Sequence, residues 1–377
     1  MEQVKSISNQ IQSEGQPWFR SVGWDWMWFL SGYWIFPLFF CIYLFFGNEH
    51  YLTIAAAIFI MTRLSHIYIS MYLCIGHPAY KPIARESKWR FFGIPFLITL
   101  FFTLFFLLPF DFLPRDTESR LKIYAFFTFP YVYYHYALQH YGVLSMYRSR
   151  AKQRLSPFHM KFERVFCHLV VSLTISALTL NNFYEVSLGG YSFSKLFNTE
   201  ALNWNAIAWS IIVPITIWYI VLELKNDKPS IPKMLYATSM SLMSLVLTLD
   251  SFLISWLLVD MQHTLCIFGL GGHILANYDV KTNKIEAKKA IWKHYGILVL
   301  VSVAFSLIHF YFAANGTDNK HYKFVYDGLI PQTDKESDLR LFLYVLFIGL
   351  GIAHYYYDRL AFRFSDKRIG EVLRKYI

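Results

Sequence analysis

Four histidines of this chain stand where an ionisable group is costly to place. His66 in SHIYIS, His140 in HYALQHYG, His273 in GGHILANY and His354 in HYYYD each lie within a long apolar run. Imidazoles carried on separate segments can jointly hold a transition-metal ion, since each offers one neutral nitrogen while its second ring nitrogen is anchored elsewhere. His354 and Asp358 are four residues apart, a spacing that puts both on one helical face about one turn apart. They can bind one ion, or Asp358 can orient the His354 ring; an ordinary pairing of Asp358 with Arg359 or Arg363 is the plainer alternative. His135 and Gln139 repeat the spacing. His135 and His140 diverge by about 140° around a helix axis, so only one of them faces such a site, and both stay candidates.

Further groups form a second tier. Asp25 in GWDWMWF could act as a catalytic carboxylate beside Asp358 or simply cap the first helix. His77 in GHPAYKP, with Glu163 and His168 in FERVFCH, lies near the ends of apolar runs and could supply another imidazole or carboxylate. Asp250 and His263 read as a separate pair toward the opposite side. Cys41, Cys74, Cys167 and Cys266 fall inside apolar segments without CxxC spacing, so neither a disulfide framework nor a zinc ribbon is indicated. No GxGxxG, Walker lysine or serine nucleophile elbow is present.

The elements that would position these groups are membrane helices. Of 377 residues, 55% are hydrophobic and 20% aromatic, more apolar surface than a soluble domain of this size can bury. A helix needs about 20 apolar residues to cross a bilayer. Ten segments approach that length: 24–46, 51–74, 91–110, 122–147, 162–180, 204–224, 234–256, 259–278, 293–313 and 340–361. The expected fold is therefore an all-α polytopic transmembrane bundle of about ten spans, one integral domain over 1–377. Basic residues gather in KPIARESKWR, YRSRAKQRLSPFHMKFER, LKNDKPSIPK and DVKTNKIEAKK, whereas the 314–338 loop is acidic. The positive-inside rule then makes both termini cytoplasmic, with an N-terminal segment 1–23, an outer loop 314–338 and a basic tail 362–377. The pair 234–256 and 259–278 has almost no connecting loop, and the charge alternation is the reason to keep them separate. The net charge of +10 sits in short blocks between apolar runs, which excludes a nucleic-acid-binding face. The first twenty residues lack the apolar core of a signal peptide, so the first span serves as the insertion signal.

At ~1.5 Å per residue, His66 lies roughly 12 Å from the inner end of its segment, His140 and His354 roughly 10 Å, and His273 roughly 8 Å. A common depth on four helices points to one shared polar site in the cytoplasmic half.

That arrangement resembles the bacterial Brp/Blh type of carotene dioxygenase, in which histidines hold a non-haem iron that cleaves a polyene. The stretches SHIYIS, HYALQHYG, GGHILANY and HYYYD carry the resemblance across most of the chain. It implies His66, His140, His273 and His354 as iron ligands, with His135 as the substitute for His140. The chain departs from that group in having Asp358 beside a histidine and in its extra spans, which leaves the substrate open. It is also similar to membrane fatty-acid desaturases in using buried histidines, but it lacks their HxxxH and HxxHH boxes. The expectation is a multi-pass protein of a bacterial inner membrane: an iron oxygenase that takes a lipophilic small molecule from membrane lipid, with an electron donor as a further partner. Copper, zinc and haem are the alternative cofactors. A haem electron carrier, a transporter with a polar intramembrane site and a scaffold are the rival functions.

Overall fold

The computed structural model describes residues 17–39, 41–42, 44–45, 66–108, 117–182, 187–188, 191–192, 203–248, 252–313 and 338–377. Most of the expected span 51–74, part of 24–46, nearly all of the 314–338 loop, and Asp250 lie outside the described residues.

In chain order the helices are α1 (Val22–Trp28), α2 (32–39), α3 (His66–Gly76, ending in a π-turn at Tyr72–Gly76), α4 (Lys81–Glu86) and α5 (Trp89–Leu107). Next come α6 (Thr117–Arg150), α7 (Pro157–Asn182), α8 (Trp204–Leu224) and α9 (Ile231–Leu242), the last running into a 3-10 segment at Met243–Thr248. The series closes with α10 (Phe252–Thr282), α11 (Ala287–Ala313), α12 (Asp338–Ala361) and α13 (Lys367–Tyr376). The only strands among the described residues are two of two residues each, β1 (Ser187–Leu188) and β2 (Tyr191–Ser192), paired antiparallel. Local chemistry sets several starts: the side chains of Asn203, Ser230 and Asp366 accept backbone N–H bonds at the first turns of α8, α9 and α13.

Among the described residues, three helices are long and apolar enough to cross a membrane: Trp89–Leu107, Pro157–Leu180 and Trp204–Leu224. The other long helices carry polar groups that dilute their hydropathy. α10 alone holds Asp260, Gln262, His263, His273, Asn277 and Asp279. The expected division at 257–258 is displaced. α10 already begins at Phe252, because FLISWLLVD contains neither Gly nor Pro to interrupt it. Residues 249–251, between the described segments 231–248 and 252–282, lie outside the described residues.

The described residues fall into two compact units, one within Met1–Phe40 and Thr128–Gln262, the other within Cys41–Phe127 and His263–Ile377. In the first unit, consecutive helices run antiparallel. Tyr133 meets Thr179 and Arg148 meets Glu163 between α6 and α7; Phe166 stacks on Tyr219 between α7 and α8; Thr216 meets Ser241 and Glu223 meets Lys233 between α8 and α9. In the second unit, α3 and α12 run in the same direction, matching His66 with His354 and Ser70 with Asp358. α5 runs against α12, with the Tyr357 hydroxyl donating to the Phe91 carbonyl while Gly349 abuts Thr99. A Cβ on Gly349 would stand 2.7 Å from the Thr99 carbonyl oxygen, so only glycine permits this approach. Outward faces are apolar: Phe96 and Phe101 of α5, Ile217 and Trp218 of α8, and Val299 and Leu300 of α11 are all exposed.

Candidate metal centre

The parallel run of α3 beside α12 makes a ladder with two rungs. On the first, the Nε2 atoms of His66 and His354 are 3.0 Å apart. One turn further along both helices, the Ser70 hydroxyl donates to Asp358 Oδ1. α10 completes the set, with the His263 ring perpendicular to that of His66 and centred 5.0 Å away. Gly271 lets α10 come this near: a Cβ there would stand 2.6 Å from Ile69 Cγ2. One donor atom from each of His66, His263, His354 and Asp358 lies within 4.8 Å of the others, and all four residues are buried.

Outer contacts orient the rings. His354 Nδ1 faces the Gly351 carbonyl, which only accepts, so the proton sits on Nδ1 and the lone pair of Nε2 points inward. His66 Nδ1 is 3.1 Å from the Thr264 hydroxyl, which can donate or accept. Two arrangements therefore satisfy the first rung. His66 Nε2 can donate its proton to His354 Nε2, or His66 can give its proton to Thr264 through Nδ1 and leave two lone pairs converging. The second is the form that binds a cation. Two nitrogens at ~2.1 Å from an ion and about 90° apart stand about 3.0 Å from each other, the separation observed on this rung.

The other candidates divide as follows. His66, His354 and Asp358 come together, and His263 joins them although the sequence suggested a separate pairing with Asp250. His263 lies eleven residues into α10, about 17 Å along its axis. Measured from an assumed start at residue 259 it looked superficial, and that boundary shift hid it. His273 is ten residues further on, about 15 Å along the same helix, where Asn277 contacts its Nε2 at 3.0 Å. In the first unit, His140 Nδ1 lies 2.6 Å from the Tyr236 hydroxyl and the His135 ring packs edge-on to Tyr136. Ser21, not Asp25, caps α1; Asp25 lies within its first turn and reaches back, its two oxygens accepting from the Phe19 and Arg20 amides and from the Tyr147 hydroxyl. His77 accepts from the Ala79 amide in the turn at Pro78 and packs on Tyr278. His168 stacks on Tyr134, and Gln139 is half-buried.

A second group of metal-type donors, His159, Glu163 and Glu223, is found within the first unit. Its centre is held by an ammonium. Lys233 Nζ donates to Glu163, to Glu223 at 2.8 Å and to Gln153 Oε1 at 3.0 Å, which engages all three of its protons. Arg148 adds a 2.5 Å bond to Glu163. Two carboxylates and two cations leave the cluster neutral with no ion added, so it reads as a structural clasp joining the ends of α6, α7, α8 and α9. Beyond the apolar part of α10, burial of Asp279 opposes its charge, but hydrogen bonds from Lys293, Asn283 and His294 outweigh this and hold the carboxyl at about 2.

Comparison with family models, with curated proteins and with solved structures finds no match. The class is set by the chain's own features: among the described residues it is helical apart from one two-residue strand pair, with three membrane-length apolar helices and a buried His and Asp group able to hold a metal.

Proposed function

We propose that this chain is a multi-pass membrane oxidoreductase that binds a non-haem iron at His66, His263, His354 and Asp358 and acts as an oxygenase on a lipophilic small molecule. One observation carries the reading: four buried donors from three helices converge within 4.8 Å. The set is imidazole and carboxylate without thiolate, which suits iron, with copper and zinc as the next choices. When bound with open positions, iron supplies oxygen chemistry. The protein's part is to fix the His354 tautomer through Gly351, to steady His66 through Thr264 and Asp358 through Ser70, and to exclude water from the centre. A substrate dissolved in lipid would reach such a protein across its exposed apolar helix faces, and an external electron donor completes the scheme.

The ten-span arrangement with cytoplasmic termini belongs to the same proposal, in a bacterial inner membrane. It is supported by the antiparallel order of α6 to α9 and by the shared direction of α3 and α12, the second and tenth segments of an alternating chain. The Brp/Blh resemblance retains His66 and His354 in the proposed ligand set, whereas His263 stands in it where the resemblance implied His273. The proposed substrate is accordingly lipophilic but not specified as a carotene. A haem bridging His66 and His354 is disfavoured, because axial nitrogens on opposite sides of an iron stand roughly 4 Å apart, wider than the 3.0 Å found.

Elemental analysis and an absorption spectrum of detergent-purified protein test the proposal. About one iron per chain without a Soret band is expected. Zinc alone, or folded protein without metal, would overturn it, and a Soret band would transfer the assignment to haem. The outer contacts carry their own expectation: Ser70→Ala and Thr264→Val should each weaken iron binding by about 10–100-fold in a chelator competition. Thr264→Ser, which restores the hydroxyl, should bind as the parent does.

A further inference from the structure

The helix α13 gathers three basic segments of the second unit. Its capping residue Asp366 accepts from Arg90 at 2.8 Å, and Arg368 pairs with Glu86, tying its start to α4 and α5. At its other end, Asn277 of α10 donates to the Tyr376 carbonyl at 2.8 Å, and Lys281 donates to the carbonyl of Lys375. Ile369, Leu373 and Tyr376 are buried, so the apolar stripe of α13 is filled by the protein itself. Its basic side, including Arg374 and Lys375, stays exposed.

Three carboxylates on this face are already engaged, Glu86 by Arg368, Asp366 by Arg90, and Asp279 by Lys293 and His294, while Glu286 and Glu371 are exposed and are outnumbered by the cations around them. Lys88, Lys284, Lys288, Lys289 and Arg374 are exposed and have no carboxylate partner among the described residues. Two indoles mark their level. Trp89 is 65% exposed and adjoins Lys88; Trp292 is 71% exposed and lies one turn beyond Lys288 and Lys289. Further along the same helices the outward side chains are apolar, with Phe96 on α5 and Leu300 on α11. Exposed tryptophan at the head of an apolar face sits at headgroup depth, which places the unmatched cations beside phospholipid phosphates.

We infer that this basic face, centred on Lys288 and Lys289 and backed by α13, binds the headgroups of anionic phospholipids. Lipid is favoured over an acidic protein by the indoles and apolar faces that continue directly from the cations. The inference does not depend on iron or on oxygenase activity.

Full-length protein in neutral detergent, titrated with phosphatidylglycerol or phosphatidylcholine and read by native mass spectrometry, tests it. Phosphatidylglycerol should be retained at least about tenfold better at low salt, and the preference should fall as salt rises. The double variant Lys288→Glu/Lys289→Glu should lose about 25-fold in affinity for it, near fivefold per basic side chain, while Lys288→Arg/Lys289→Arg retains it. Equal retention of the two lipids would overturn the inference. So would undiminished phosphatidylglycerol binding by the glutamate variant with parental circular dichroism, the result expected if this face serves an acidic protein.

Discussion

Alanine at His354 is expected to empty the metal centre. Iron in the purified protein should fall from about one equivalent to less than about a tenth, a larger loss than the ~10–100-fold in affinity that removal of an outer contact brings. His354 is the residue through which α12 enters the first rung: its Nε2 faces His66, and it shares a helical face with Asp358. Alanine at His66 should have the same effect from α3. His140→Ala should keep its iron, since His140 is not among the four converging donors. Atomic absorption on the three variants, with circular dichroism to confirm helicity, checks this. Iron content unchanged in both the His66 and His354 variants would remove the assignment.

The largest effect on stability is expected at Lys233. Its replacement by methionine leaves Glu163 and Glu223 buried without the cation that joins them, and breaking a buried pair from one side costs about 3–5 kcal/mol. Thermal unfolding in detergent should show that loss. Because the deficit is uncompensated charge, pairing Lys233→Met with Glu223→Gln should recover part of it. A single variant as stable as the parent would mean that water reaches the clasp and screens it. Lys233 is fully buried, which argues against that outcome.

Much of the ladder is visible in the sequence, since His354 and Asp358 keep their spacing on any helix and His66 is conspicuous in an apolar run. His263 was hidden for a positional reason. Apolar content cannot distinguish a helix beginning at Phe252 from one beginning at Val259, and the seven residues between change the apparent depth by about 10 Å. Ser70 and Thr264 were hidden for a chemical one, because hydroxyls are common in membrane helices and only a partner distinguishes them. Lys233 shows both limits. In LKNDKPSIPK it counts as one more loop cation, and only the return of α9 against α7 and α8 turns it inward between two glutamates.

The first rung joins residues 288 positions apart. During synthesis at ~5–20 residues per second, His66 emerges roughly 15 to 60 s before His354. Over that interval the nascent chain has at most His66 and His263, with neither donor from α12. On the proposed assignment, loading of an ion would therefore follow synthesis of α12, and a polypeptide arrested before that point would have no complete donor set to offer.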